Sequence, residues 1–294
     1  MRLALLVFSG VVALRGVEFA DIVPVGSTPE RVAKELRFVE GPTWISSEKC
    51  WFFSDIPADR LYRLKDDLTL SVALEPSHQA NGNRSDAAGN RYTCEHATRR
   101  VSRTAPDGSR TEIATTFGGK AFNSPNDCAL AADGALWFTD PDYGLAQRPA
   151  EQPCHGVYRL APGAAEPSLV AHDFVQPNGI CFSPDGTICY IADSGAPHHV
   201  RAFAVDHGTL TTGRIFTVIT PGVPDGMRCD RDGRLYVTAG NGVQIFAPDG
   251  NKLGVIPVPE TPANCAFGGD DGNTLLITAR TSVYRIRLLV AGLP

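Results

Sequence analysis

The stretch Asn126-Asp-Cys-Ala-Leu-Ala-Ala-Asp-Gly134-Ala-Leu-Trp-Phe-Thr-Asp140 decides the fold. It reads as a short strand, an Asp-Gly turn and a second strand rich in aromatic and branched residues. Asn126 stands eight residues before the turn glycine. The same spacing recurs on either side, at Asn81/Gly89, Asn178/Gly186, Asp225/Gly233 and Asn264/Gly272. Glu40 stands eight before Glu48, at a sixth and degenerate copy of the turn. A further strand follows in every unit, for example Leu61-Tyr-Arg-Leu64, Val157-Tyr-Arg-Leu160 and Val283-Tyr-Arg-Ile286.

The six anchors are 41, 45, 52, 47 and 39 residues apart. A period of roughly 40 to 50 with about four strands per unit predicts a β-propeller, and six copies predict six blades. A β-sandwich would not explain a six-fold register. The chain is therefore expected to be all-β, with residues 21–294 forming one six-bladed propeller domain. A strand from the Asp21–Arg37 region is expected to complete the last blade, because closure removes exposed sheet edges.

Composition bounds the partners. The 294 residues are 43% hydrophobic and 20% charged, with a net charge of -5. No basic face calls for nucleic acid. A mildly acidic chain suits a small molecule or a cation. The eight cysteines form no C-x-x-C pair, which argues against a zinc ribbon or a thioredoxin-type motif. Several lie in apolar runs and read as buried free thiols. No Gly-rich phosphate loop, G-x-S-x-G or H-E-x-x-H is present.

Met1-Arg2 precedes an apolar run from Leu3 to Leu14, so residues 1–20 resemble a signal peptide, although Arg15 follows at once and no A-x-A site is clear. The run is too short for a membrane span. The protein is expected to be soluble and cytoplasmic, with export the alternative that a cleaved leader would bring.

The anchors carry the chemistry. In each unit the anchor opens the first strand, which in a propeller lines the central channel, so six side chains ring one mouth. Glu40, Asn81, Asn126, Asn178, Asp225 and Asn264 offer two carboxylates and four amides, with no sulfur and no imidazole. Such hard oxygen donors suit Ca²⁺, or Mg²⁺ and Mn²⁺. Zn²⁺, the remaining divalent alternative, prefers His or Cys. Asn-Gly and Asp-Gly are also ordinary turn pairs. Here, however, the turns sit eight residues later, and Glu40-Gly41 is not a usual turn pair. The glycine after an anchor then lets the backbone approach a crowded axis. His198-His199, in a loop after a strand, is a candidate for binding substrate oxygens at the rim. Asp140 and Asp193 end strands at equivalent places and read as structural. Trp44, Trp51 and Trp137 read as packing between blades.

An ordered set of motifs resembles the senescence marker protein/gluconolactonase/luciferin-regenerating enzyme-like family. The set comprises Glu40-Gly-Pro-Thr-Trp44, Cys94-Glu-His-Ala-Thr-Arg-Arg-Val101, Asn123-Ser-Pro-Asn-Asp127, Leu136-Trp-Phe-Thr-Asp-Pro141, Tyr143-Gly144, Pro177-Asn-Gly179, Pro197-His-His-Val200 and Gly222-Val-Pro-Asp-Gly226. It runs from about Arg37 to Ile286 and is most similar to bacterial-type gluconolactonases. The resemblance implies a divalent cation, usually Ca²⁺, in the channel, held by Glu40, Asn178 and Asp225, with Asn126 a ligand or one water away. It implies hydrolysis of a sugar lactone, with the cation polarising the carbonyl and a carboxylate activating water. Asp225 matches the family's general base; Asp127 and Glu40 are the other candidates. Asn81, Asn126 and Tyr143 are expected to line the pocket, and Asn81 and Asn264 are not expected to be ligands. Two departures stand out. Ser124 occupies a position where some family lactonases carry a sugar-binding Arg. Ile277-Thr-Ala-Arg280 lacks the His of the phosphotriesterase branch. Another ester or phosphotriester as substrate, or a non-catalytic binding propeller, are the alternatives.

Overall fold

The computed structural model describes residues 16–293, so the apolar run Leu3 to Leu14 falls outside the described residues. Six four-stranded antiparallel sheets and one short two-stranded one, Thr116–Phe117 with Lys120–Ala121, make up the strands of the described residues. Blade 1 comprises Val39–Ile45, Cys50–Asp55, Arg60–Lys65 and Leu70–Leu74. Blade 2 comprises Ala80–Ser85, Arg91–Glu95, Arg100–Thr104 and Arg110–Ala114. Blade 3 comprises Cys128–Leu130, Leu136–Asp140, Gly156–Leu160 and Ser168–Ala171. Blade 4 comprises Pro177–Phe182, Ile188–Asp193, His199–Asp206 and Thr209–Val218. Blade 5 comprises Met227–Cys229, Leu235–Ala239, Gly242–Phe246 and Lys252–Ile256. Blade 6 takes three strands from the end of the chain, Asn264–Gly268, Thr274–Ala279 and Ser282–Arg287. Its outermost strand, Glu30–Ala33, comes from the beginning and pairs Glu30 with Arg285. Each inner strand touches the next in a closed cycle, so the fold is the expected six-bladed propeller. Among the described residues no helix is long and apolar enough to cross a membrane.

The turns explain the repeat. Asp133 Oδ1 accepts the Ala135 N–H and Asp185 Oδ1 accepts the Thr187 N–H, both at 3.0 Å, while Gly134 and Gly186 take φ of +78° and +70°. An Asx turn followed by a left-handed residue closes each hairpin. Blade 1 differs from the expectation. Its left-handed residue is Lys49, at φ +48°, nine residues after Glu40 and one beyond Glu48. Lys49 N donates to Ser46 O just as Gly134 N donates to Ala131 O. The strand is one residue longer there, and a lysine carries the cost of the left-handed backbone.

The core lies between blades. Trp137 of blade 3 meets Phe182 of blade 4 at 5.5 Å, and Tyr236 of blade 5 meets Phe267 of blade 6 at 5.0 Å. Trp44 and Trp51, 5.0 Å apart, pack with Ala266 and Leu276 of blade 6. Each buried ring contributes about 2–3 kcal/mol relative to exposure. Hydroxyls at one register of the second strands fasten neighbouring blades. Ser54 Oγ donates to Asn81 O at 2.7 Å, Thr139 Oγ1 to Asn178 O at 2.8 Å, and Thr238 Oγ1 to Ala263 O at 2.8 Å. The acid one residue later staples the incoming chain. Asp140 accepts the N–H groups of Asn123 and Ser124, and Asp193 accepts those of Val175 and Gln176. Their structural reading holds. All eight cysteines are free and seven are buried.

Candidate active site

In blades 1, 2 and 4 the anchor sits at a β-bulge. Glu40 pairs with Ser54 and Thr43 with Phe52; the same three-against-two step occurs between Ala80 and Asn83 and between Pro177 and Ile180. A bulge bends the strand and re-aims side chains. The residue after the anchor is glycine in blades 1, 2, 4 and 5. A Cβ on Gly41 would lie 2.1 Å from Asn81 O, and one on Gly226 would lie 2.0 Å from Asn264 Cγ. The anchor glycines therefore hold the ring tight around its axis.

Glu40, Asn81, Asn126, Asn178 and Asp225 form the floor of one cavity of about 390 Å³. Phe38, Ile56 and Val223 give it an apolar rim, and His96, Tyr143 and Ser194 add polar wall. Asn264 is not in the lining. It lies beneath the floor, where Nδ2 donates to Glu40 Oε2 at 2.9 Å and Oδ1 accepts the Cys265 N–H at 2.8 Å.

The amides form a directed chain. Asn81 Nδ2 donates to Asn126 Oδ1 at 2.6 Å, Asn126 Nδ2 to Asn178 Oδ1 at 2.7 Å, and Asn178 Nδ2 to Ser194 Oγ at 3.0 Å. Ser194 Oγ donates onward to Pro224 O at 2.5 Å, next to Asp225. Each amide oxygen that accepts one hydrogen bond keeps a second lone pair. Asn81 Oδ1 is buried and has no hydrogen-bond partner.

Among the described residues no cationic side chain forms an ion pair with Glu40 or Asp225. Burial raises Glu40 well above the usual carboxylate range, and the charges of Asp225 and Asp127 push it further. Asp225 is pushed up to about 7 by burial and by Asp127, against an opposing hydrogen bond from Asn178. Burial also raises Asp127, which Arg228, 3.6 Å away, counteracts. Such a floor attracts a cation. Among the described residues no three His, Cys, Asp or Glu side chains cluster as a metal site. The donor set becomes sufficient only when amide oxygens are counted, which suits a hard cation and disfavours zinc.

Three sequence-based candidates lie elsewhere. Asp127 does not line the cavity. It points below the floor, where Oδ1 accepts the Cys128 N–H at 2.8 Å and Oδ2 faces Asn264 and Arg228. His198 and His199 are also absent from the lining. His198 begins the turn back into blade 4, its N–H bonded to Gly195 O, and His199 pairs across the sheet with Asp193 and Val218. Ser124 is buried, its Oγ donating to Pro141 O and accepting the Gly144 N–H, so it clasps a loop instead of reaching substrate.

Other lining residues escaped the sequence reading. Ile56, His96 and Ser194 each immediately follow the residue that ends a second strand, Asp55, Glu95 and Asp193. Phe38 and Val223 each stand two residues before an anchor. Both registers were readable, but the residue types in them do not repeat. His96 Nε2 lies 3.1 Å from Asn81 Nδ2, and burial pushes its pKa down to about 4. The neutral ring accepts from Asn81 at Nε2. Gly144 packs against this ring so closely that a Cβ would lie 2.4 Å from it. Arg148 binds His96 O, Ala97 O and Gly144 O, fixing the Tyr143 loop over the cavity.

The family model described as the SMP-30/gluconolactonase/LRE-like region matches residues 38–281. A gluconolactonase of Zymomonas mobilis is 33% identical over 92% of this chain and 84% of its own length. A solved gluconolactonase of Xanthomonas campestris superposes with TM-score 0.84 at 32% identity, covering 94% of this chain and 99% of that one. A solved structure provisionally assigned as a gluconolactonase superposes with TM-score 0.89 at 36% identity, over 94% and 97% of the two chains.

Proposed function

This chain belongs to the SMP-30/gluconolactonase/LRE-like family, a lactonase lineage of carboxylic ester hydrolases, and from that premise we propose that it is a divalent-cation-dependent lactonase opening a sugar lactone to its aldonic acid. The observation that carries the reading is the shared floor: two carboxylates, Glu40 and Asp225, and three amides in one cavity of about 390 Å³. The charge of Glu40 and Asp225, which no cationic side chain pairs with among the described residues, fits a hard cation such as Ca²⁺. Glu40, Asn178 and Asp225 would hold it, with Asn126 beside them. When bound, the cation supplies Lewis-acid polarisation of the lactone carbonyl.

The chain's own groups do the rest. Asp225 accepts the proton of the attacking water, being the floor carboxylate that faces the cavity without a backbone donor. Glu40 is less free, since the Gly41 N–H at 2.5 Å and Asn264 Nδ2 both bind its Oε2. His96, Asn81 and Ser194 present polar atoms to the ring hydroxyls. Phe38, Ile56 and Val223 cover the C–H face of the sugar. The test is acid release from D-glucono-1,5-lactone, followed against the spontaneous background. Enzyme-dependent release supports the substrate class; a rate equal to the background removes it.

A further inference from the structure

The lactone cavity changes character with depth. Its floor is carboxylate and amide, but its mouth is apolar. Phe38 and Val223 come from the loops that enter blades 1 and 5. Ile56 and Tyr143 come from the loops that leave the second strands of blades 1 and 3. Alternate blades thus set large side chains around one opening. Phe38 and Val223 remain 36% exposed and Tyr143 47%. Exposed apolar side chains scattered singly are ordinary, whereas several that converge on one cavity mark a contact surface.

The charge pattern agrees. Among the described residues, Glu40 and Asp225 are the only charged side chains in the lining, and both belong to the floor. Arg37, next to Phe38, is not in the lining, and its Nη1 donates to Pro57 O at 3.0 Å. A lactone ring with its carbonyl on the floor fills only part of the 390 Å³, and an arm on the ring extends into the rest. A hydroxyl or charged arm set against Phe38 and Val223 loses water and gains no partner. An alkyl arm moves its surface out of water onto Phe38, Ile56 and Val223.

We propose that this site selects neutral lactones that carry a short alkyl arm on the ring carbon bearing the ester oxygen, with the arm lying on the apolar mouth. The inference rests on the lactonase reading and deepens it, because it names the part of the substrate that the floor does not touch. Phe38 and Val223 are the residues that set this preference.

Steady-state hydrolysis by the full chain in Ca²⁺, corrected for spontaneous opening, tests it with δ-valerolactone, its butyl-substituted homologue δ-nonalactone, and D-glucono-1,5-lactone. The KM for δ-nonalactone is expected to be about ten-fold or more below that for δ-valerolactone. Phe38→Ser and Val223→Ser, both at part-exposed loop positions, are each expected to shrink that ratio about three-fold or more. A ratio of two KM values within one variant does not depend on how much of it folds. A parent chain that opens D-glucono-1,5-lactone but not δ-nonalactone, equal KM values for the two δ-lactones, or a ratio unchanged in both variants overturns the proposal and leaves the lactonase reading standing. Background rates with all three lactones overturn both.

Discussion

Asn264 Nδ2 donates to Glu40 Oε2 at 2.9 Å, so blade 6, the last in the chain, holds the carboxylate of blade 1 at the channel axis. The bond spans the junction where the ring closes. Asn264 lies outside the cavity, yet it fixes a group expected to bind the cation.

Asn264→Ala should therefore weaken Ca²⁺ binding without removing a ligand. Loss of a hydrogen-bond partner behind a metal ligand costs about 10–100-fold in affinity. Calorimetric titration with Ca²⁺ checks this. Unchanged affinity would mean that Glu40 needs no support or does not bind.

His96→Ala tests the wall. His96 accepts from Asn81 at 3.1 Å and lines the cavity, but it is neutral and not among the proposed ligands. The expected effect is a rise in KM of roughly ten-fold, the scale of one or two lost polar contacts, with Ca²⁺ affinity nearly unchanged. A loss confined to kcat would assign the imidazole to the chemical step instead.

Calcium affinity should climb with pH. Asp225 is pushed up to about 7 and Glu40 is also raised, so protons compete with the cation on the acid side of neutrality. The stability sign follows. A carboxylate with a raised pKa in the folded chain contributes stability that is fully present below its unfolded value near 4 and is lost as pH rises through about 7. In EDTA, the melting temperature should fall between pH 5 and 8. Bound Ca²⁺ should reduce that fall. Parallel thermal scans with and without Ca²⁺ decide it, and identical pH profiles would contradict it.

Gly226→Ala should destabilise strongly. The added methyl would sit 2.0 Å from Asn264 Cγ in the neighbouring blade. Overpacking a rigid contact costs about 1–3 kcal/mol or more. Urea denaturation measures it. A variant as stable as the parent would show that the Asn264 side chain gives way more easily than this contact indicates.

Sequence periodicity made the fold legible because five of the six blades repeat the same glycine turn and all six repeat the same kind of second strand. The anchors were legible for the same reason: in a closed ring, one register means one place. The bulges at Glu40, Asn81 and Asn178 were not, since pairing register is a property of two strands and leaves no mark on one. Asp127 was misplaced because it adjoins an anchor, and adjacent strand residues point opposite ways. His198 and His199 drew attention by residue type, yet hydrogen bonding ties them to their own blade. His96 and Ser194 share a register whose residues differ from blade to blade, so no repeat announced them.

The central claim is that the anchor floor holds a divalent cation on which lactone opening depends, with Asp225 as a ligand and proton acceptor. One measurement reaches it most directly: metal content and D-glucono-1,5-lactone hydrolysis, determined together on the parent chain and on Asp225→Ala. The account predicts one divalent ion per parent chain, activity abolished by EDTA and restored by Ca²⁺, and a loss of about 10³-fold or more in Asp225→Ala. A metal-free parent chain that hydrolyses the lactone at full rate, or an Asp225→Ala variant that matches it, would contradict the account.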